Sequence, residues 1–115
     1  MKLLILDDDE TRHKLFTQKY MNHERTHVRT AKVCIKELQE NGPWDYVFLD
    51  HDLGGRQWVD SNEEETGYQV ALWLSENEEL QPRKIIIHSF NPIGAGKMKQ
   101  LLPSSHYAPG IWKDR

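Results

Sequence analysis

Apolar residues in this chain fall into short runs that alternate with stretches of helical period. Lys2–Leu6, Asp45–Leu49 and Ile85–Ile87 are compact runs rich in Ile, Leu and Val, each bounded by polar residues. Runs of that length and composition predict strands buried on both faces of a parallel sheet. Between them, Thr11–Asn22 carries Leu15, Phe16 and Met21 among good helix formers, with Asp9 placed as its N-cap. Ala31–Glu40 sets Ala31, Cys34, Ile35 and Leu38 on one helix face, and Gly42-Pro43 stops it. Gly67–Glu76 turns Val70, Ala71, Trp73 and Leu74 inward, and a further helix is expected over Ala95–Leu102, ended by Pro103. Two weaker strands complete the pattern: Thr26–Thr30, polar and therefore near an edge, and Gly110–Trp112. Strands alternating with helices predict a doubly wound α/β sheet of five strands with about four helices.

The three strong strands all end in polar residues. The first runs into Asp7, Asp8, Asp9 and Glu10, the second into Asp50, His51 and Asp52, the third into His88, Ser89 and Asn91. In an open parallel sheet the carboxyl ends of the strands share one edge, where ligands bind. The pattern therefore gathers carboxylates and imidazoles at a single rim. Packed together, Asp7, Asp8, Asp50 and Asp52 cannot all stay ionised and unpaired; they take up a proton or a cation. Oxygen donors suit Mg²⁺ or Mn²⁺, and an imidazole from His51 or His88 shifts the preference toward Mn²⁺ or another transition metal. The plainer reading is an acidic N-cap with exposed turn carboxylates. Histidine is the side chain suited to passing a proton near neutral pH, so His51 and His88 form a candidate acid–base pair beside the metal. The plainer reading of each is a histidine bonded to a carbonyl.

Size and charge narrow the chemistry. At 115 residues the chain is read as one domain, residues 1–115, without room for a separate substrate domain. Fifteen basic against 18 acidic residues leave a formal charge of −3, which argues against non-specific binding to long nucleic acid. A small phosphate ligand held through a metal stays compatible. The lone cysteine, Cys34, cannot form an internal disulfide and reads as a core residue; no apolar run approaches the ~20 residues of a membrane span. Met1–Leu6 is too short for a secretory leader, and a cytoplasmic location is expected.

The ordered set LLILDDDE, DYVFLD, IIIHS and GIWK resembles the receiver (CheY-like) domain of two-component response regulators over nearly the whole chain. The resemblance implies a sheet in the order 2-1-3-4-5 (flavodoxin/receiver-like). It also implies a divalent cation on Asp7 and Asp8, a phosphoacceptor at Asp50, and phosphate contacts from Ser89 and Lys113. Departures accompany it. His51-Asp52 and Gly54-Gly55 follow the acceptor, His88 precedes the hydroxyl, the loop around Arg56–Glu65 is long, and no fifth helix is expected. The combination LDDD, FLDHDLGG and IIIHSFNPIGA is similar to a divergent receiver branch proposed to process cyclic phosphates. That resemblance implies a metal-dependent phosphoesterase acting on a cyclic nucleotide or an RNA 2′,3′-cyclic end, with water or Asp50 as nucleophile.

For such a site Ser89 and Asn91 would donate to phosphate oxygens, and Gly94-Ala95 would open a helix whose N-terminal amides favour anions. Lys113 would act as a charge clamp. Trp58, in the long loop, is placed to stack on a nucleobase or to cap the core. Trp44, Trp73 and Trp112 read as packing residues, and His13, His23, His27 and His106 as surface ones. The alternatives are a stand-alone receiver phosphorylated on Asp50, and a non-catalytic module that binds a phosphate ligand or a protein.

Overall fold

The three strongly apolar strands lie at the centre of the sheet. The computed structural model describes residues 1–53, 60 and 65–113. Its strands are β1 (Lys2–Leu6), β2 (Glu24–Val28), β3 (Tyr46–Leu49), β4 (Lys84–Ile87) and β5 (His106–Tyr107). Its helices are α1 (Glu10–Lys19), α2 (Ala31–Glu40), α3 (Gly67–Glu76) and α4 (Pro92–Leu101). All strand pairs are parallel and the order is β2-β1-β3-β4-β5, as the receiver resemblance implies. Leu6, Leu49 and Ile87 stand in register across β1, β3 and β4. The next residue of each strand, Asp7, Asp50 and His88, therefore leaves the sheet at one level.

Strand alternation divides the core into two layers. On one face Leu4, Leu6, Val47, Leu49, Ile85 and Ile87 pack beneath α2, α3 and α4, with Cys34, Leu38, Val70, Leu74 and Met98. On the other, Leu3, Ile5, Phe48 and Ile86 pack against Phe16 of α1 and against Trp112. No helix among the described residues is long and apolar enough to cross a membrane.

The last strand departs most from the sequence reading, while β2 and α4 start two and three residues earlier than expected. Gly110–Trp112 is not a strand. Gly110 has φ +73°, a left-handed conformation that ends extended pairing, and Ile111–Lys113 forms a single 3₁₀ turn. Apolarity at Trp112 reports its burial against α1, whereas β5 is a two-residue exposed edge with no alternation to read.

Local caps fix the helix starts. Asp9 accepts bonds from the Thr11 and Arg12 amides at 2.8 and 3.1 Å, and Asn91 Oδ1 accepts from the Gly94 amide at 2.9 Å. At the other end of the long loop, Gly67 donates its amide to the His51 carbonyl at 2.9 Å. A Cβ at 67 would stand 1.6 Å from the Asp50 carbonyl oxygen, so only glycine permits α3 to start against that strand end.

Candidate metal centre

Asp7, Asp50 and His88 extend the sheet face that α1 covers. Each follows, at strand period two, the row Leu3–Ile5, Tyr46–Phe48 or Ile86. Their ligand atoms lie within 4.8 Å of one another, and all three residues are buried. His88 Nε2 is 3.0 Å from Asp7 Oδ2. A carboxylate only accepts, so neutral His88 donates through Nε2 and its Nδ1 carries the free lone pair. That Nδ1 is buried with no hydrogen-bond partner, in a ring seated edge-on against Phe16 and Trp112.

Arg12, from the first turns of α1, lies over this cluster. It grips Asp7 through two bonds, Nε to Oδ2 at 2.8 Å and Nη2 to Oδ1 at 2.7 Å. The same Nη2 is 3.3 Å from Asp50 Oδ2 and 3.5 Å from Asp8 Oδ1. Burial alone would raise the Asp7 carboxyl, but hydrogen bonds from His88 and Arg12 outweigh it and hold Asp7 well below the usual carboxylate range. Asp50 goes the other way: burial, and then the neighbouring Asp7 charge, push it up to about 8. Burial likewise lowers His88, against the pull of Asp7. The cluster thus holds one carboxylate ionised against a guanidinium and its neighbour poised to keep a proton. Two oxygen donors and one imidazole nitrogen this close fit a divalent cation, Mn²⁺ or another transition metal more readily than Mg²⁺.

Asp8 and Asp52 stand outside that three-residue group. Asp8 remains at its edge, in contact with Arg12. Asp52 lies with His51 on the opposite face of the sheet, its Oδ1 2.7 Å from His51 Nδ1 and 3.1 Å from Asn91 Nδ2. His51 is thereby parted from His88, because successive residues of an extended strand point to opposite sides. Ser89 also falls on His51's side; it is buried and its Oγ accepts from the Asn91 amide at 3.0 Å. Asn91 is committed as the N-cap of α4. Lys113 sits on the final 3₁₀ turn rather than at a strand end, with Nζ 5.3 Å from the Phe90 ring centre. Trp58, with Gly54 to Gln57, lies outside the described residues.

The requirement for glycine at 94 is likewise local. A Cβ there would lie 2.5 Å from two carbons of the His51 ring, itself fully buried. Gly94→Ala should cost about 1–3 kcal/mol through that overlap, measured by urea denaturation.

Sequence reasoning missed three contributors. Arg12 follows Asp8 and Asp9 at i+4 and i+3 in the first turn of a helix, a spacing that brings it back over the acidic cluster. His13 is buried, three residues before buried Phe16 on the same helix face, which is its only sequence signal. Its Nε2 lies 2.8 Å from the Asp7 carbonyl and must donate, so its Nδ1 accepts from His27 Nδ1 at 2.6 Å. His27 Nε2 then accepts from the Thr17 hydroxyl at 3.1 Å. Burial first, then His13 and Arg29, lower His27 to about 4. A histidine depressed in the fold binds its proton more tightly unfolded, so stability falls as pH drops from 6.5 through 4. Allowing for solvent screening, the wild type should lose about 1 kcal/mol relative to His27→Gln over that window, measured by thermal melts at several pH values.

Comparison with known proteins bears on this arrangement. The family described as cyclic-phosphate processing receiver domain matches residues 2–104. The fold is shared with solved receivers. The signal receiver domain of a putative LuxO repressor protein from Vibrio parahaemolyticus superposes with a TM-score of 0.71 at 18% identity, over 95% of this chain and 77% of that one. The Mn²⁺-bound form of response regulator Rcp1 gives 0.71 and 18%, over 95% and 81%. Response regulator TrrA from Thermotoga maritima, in complex with Mg²⁺-BeF, gives 0.71 and 18%, over 95% and 86%. No curated protein matches the chain.

Proposed function

The chain belongs to the cyclic-phosphate processing receiver domains, and from that membership we propose a metal-dependent phosphoesterase that opens a cyclic phosphate, a nucleotide or an RNA 2′,3′-cyclic end. The observation that carries this reading is the convergence of Asp7, Asp50 and His88 within 4.8 Å at the ends of three adjacent strands. A divalent cation held by these three would neutralise phosphodiester charge and lower the pKa of water.

The chain's own residues supply the rest. Arg12 pairs with Asp7 and lies within reach of Asp50; with a cation held there, its guanidinium would be available to the non-bridging phosphate oxygens. His88 Nε2, facing the cluster, would be the imidazole ligand of that cation. The water oxygen bonds to phosphorus, one ring P–O bond breaks, and the water proton ends on the departing oxygen, giving a phosphomonoester. His51 and Asp52, behind the strand end, serve as positioning residues through the Asn91 cap.

The test is ³¹P NMR of nucleoside 2′,3′-cyclic monophosphates incubated with protein and Mn²⁺ or Mg²⁺. Conversion to a monoester supports the reading, and an unchanged cyclic resonance across the metal series contradicts it. A second reading, a receiver phosphorylated on Asp50, is favoured by the likeness to TrrA in complex with Mg²⁺-BeF. It predicts that acetyl phosphate labels the wild type and spares Asp50→Asn.

A further inference from the structure

Ser89 and Asn91 are buried, but Phe90 between them is 52% exposed. The ring is nevertheless held. Trp112 meets it edge to face at 5.2 Å, and Lys113 Nζ lies 5.3 Å from its centre. Gly110 backs it so closely that a Cβ there would stand 3.4 Å from Phe90 Cζ. Phe90 is thus a large apolar ring fixed in position and half in water.

Its position relative to the acidic cluster gives that contact a meaning. The Trp112 ring centre lies 5.6 Å from that of His88 and 5.4 Å from the Arg12 guanidinium, and it also meets Phe90. A ligand whose phosphate reaches Arg12 and His88 therefore has its remainder directed along Trp112 toward Phe90. The Trp112 indole lies between the two ends. We propose that Phe90 is the stacking platform for a nucleobase, so that the substrate class is a nucleoside cyclic phosphate rather than a base-free cyclic phosphodiester. This rests on the phosphoesterase reading and deepens it. Stacking uses the face every base presents, so the platform selects for the presence of a base and not for its identity. Lys113, whose ammonium occupies one side of the ring, moves aside or bonds the polar rim of the base.

The experiment compares adenosine 2′,3′-cyclic monophosphate with methyl riboside 2,3-cyclic phosphate in wild type, Phe90→Ala, Phe90→Leu and Phe90→Trp. Base stacking is worth about 1–3 kcal/mol, so Phe90→Ala and Phe90→Leu should raise KM for the adenosine substrate roughly five- to a hundredfold with kcat little changed. Both variants should leave the base-free substrate within about twofold, and Phe90→Trp should restore adenosine binding. Equal effects on the two substrates, or none on either, would overturn the proposal while leaving the esterase reading in place. Should neither substrate turn over, the esterase reading fails on its own, and calorimetry with adenosine 3′-monophosphate against ribose 3-phosphate in Mn²⁺ still decides. A wild-type preference for the nucleotide that vanishes in Phe90→Leu supports the platform, and equal affinities contradict it.

Discussion

Asp7→Asn should destabilise the metal-free protein and Asp50→Asn should stabilise it, although the two carboxylates are neighbours in one cluster. Asp7 is fully buried and ionised, and it answers Arg12 twice and His88 once. Removing its charge leaves a half-buried guanidinium without its main partner, a loss of about 3 kcal/mol for a broken buried pair. Asp50 has the opposite balance. Its carboxyl is raised to about 8, so the folded state binds that proton more tightly than the unfolded chain does. Stability is therefore greatest below the unfolded value near 4 and falls as pH rises toward 8. Asparagine at 50 removes that loss and should add about 1–3 kcal/mol at pH 7. Chemical denaturation of the two variants without metal, at pH 5 and pH 7, reads both signs. A stabilised Asp7→Asn, or an Asp50→Asn that weakens the fold as much as Asp7→Asn, would mean that the charges are distributed otherwise.

His88→Gln should lower turnover of a cyclic phosphate about tenfold or more, through loss of the imidazole ligand to the cation. Its amide can still donate to Asp7, so the melting temperature should stay close to wild type. Glutamine offers the cation an amide oxygen in place of an imidazole nitrogen, a poorer ligand for a transition metal. A variant that folds and retains more than a tenth of the activity would remove His88 from the chemistry. His51→Gln provides the contrast. His51 faces α4 and bonds Asp52, so its loss should disturb the Asn91 cap and thermal stability more than the chemical step.

The contrast between these two histidines marks where the sequence was informative. The apolar runs identify β1, β3 and β4 because strands buried on both faces must be apolar throughout. Their polar exits locate the rim, where Asp7, Asp50 and His88 meet. Which exits share a face is a matter of strand parity. Phe48 and Asp50 lie on the α1 side and Leu49 and His51 on the other, and that parity was readable in FLDH once the strand was assigned. The α4 start at Pro92, rather than Ala95, follows from the Asn91 cap with Pro at the first helical position. β5 was not legible. Two exposed residues at a sheet edge carry no periodicity, while the apolar Gly110–Trp112 attracted the assignment. Arg12 and His13 were hidden for another reason. A helix with only His13 and Phe16 buried shows little amphipathic pattern, and two of its polar residues turn inward to meet the strand ends rather than water.

The measurement that bears most directly on the metal centre is a Mn²⁺ titration followed by electron paramagnetic resonance, with the pulsed nitrogen signal recorded at saturation. One Mn²⁺ should bind per chain, show coupling to a single imidazole nitrogen, lose that coupling in His88→Gln and lose tight binding in Asp50→Asn. Mn²⁺ bound equally well by the wild type and both variants, or an ion with no nitrogen coupling in the wild type, would place the cation elsewhere and contradict the account.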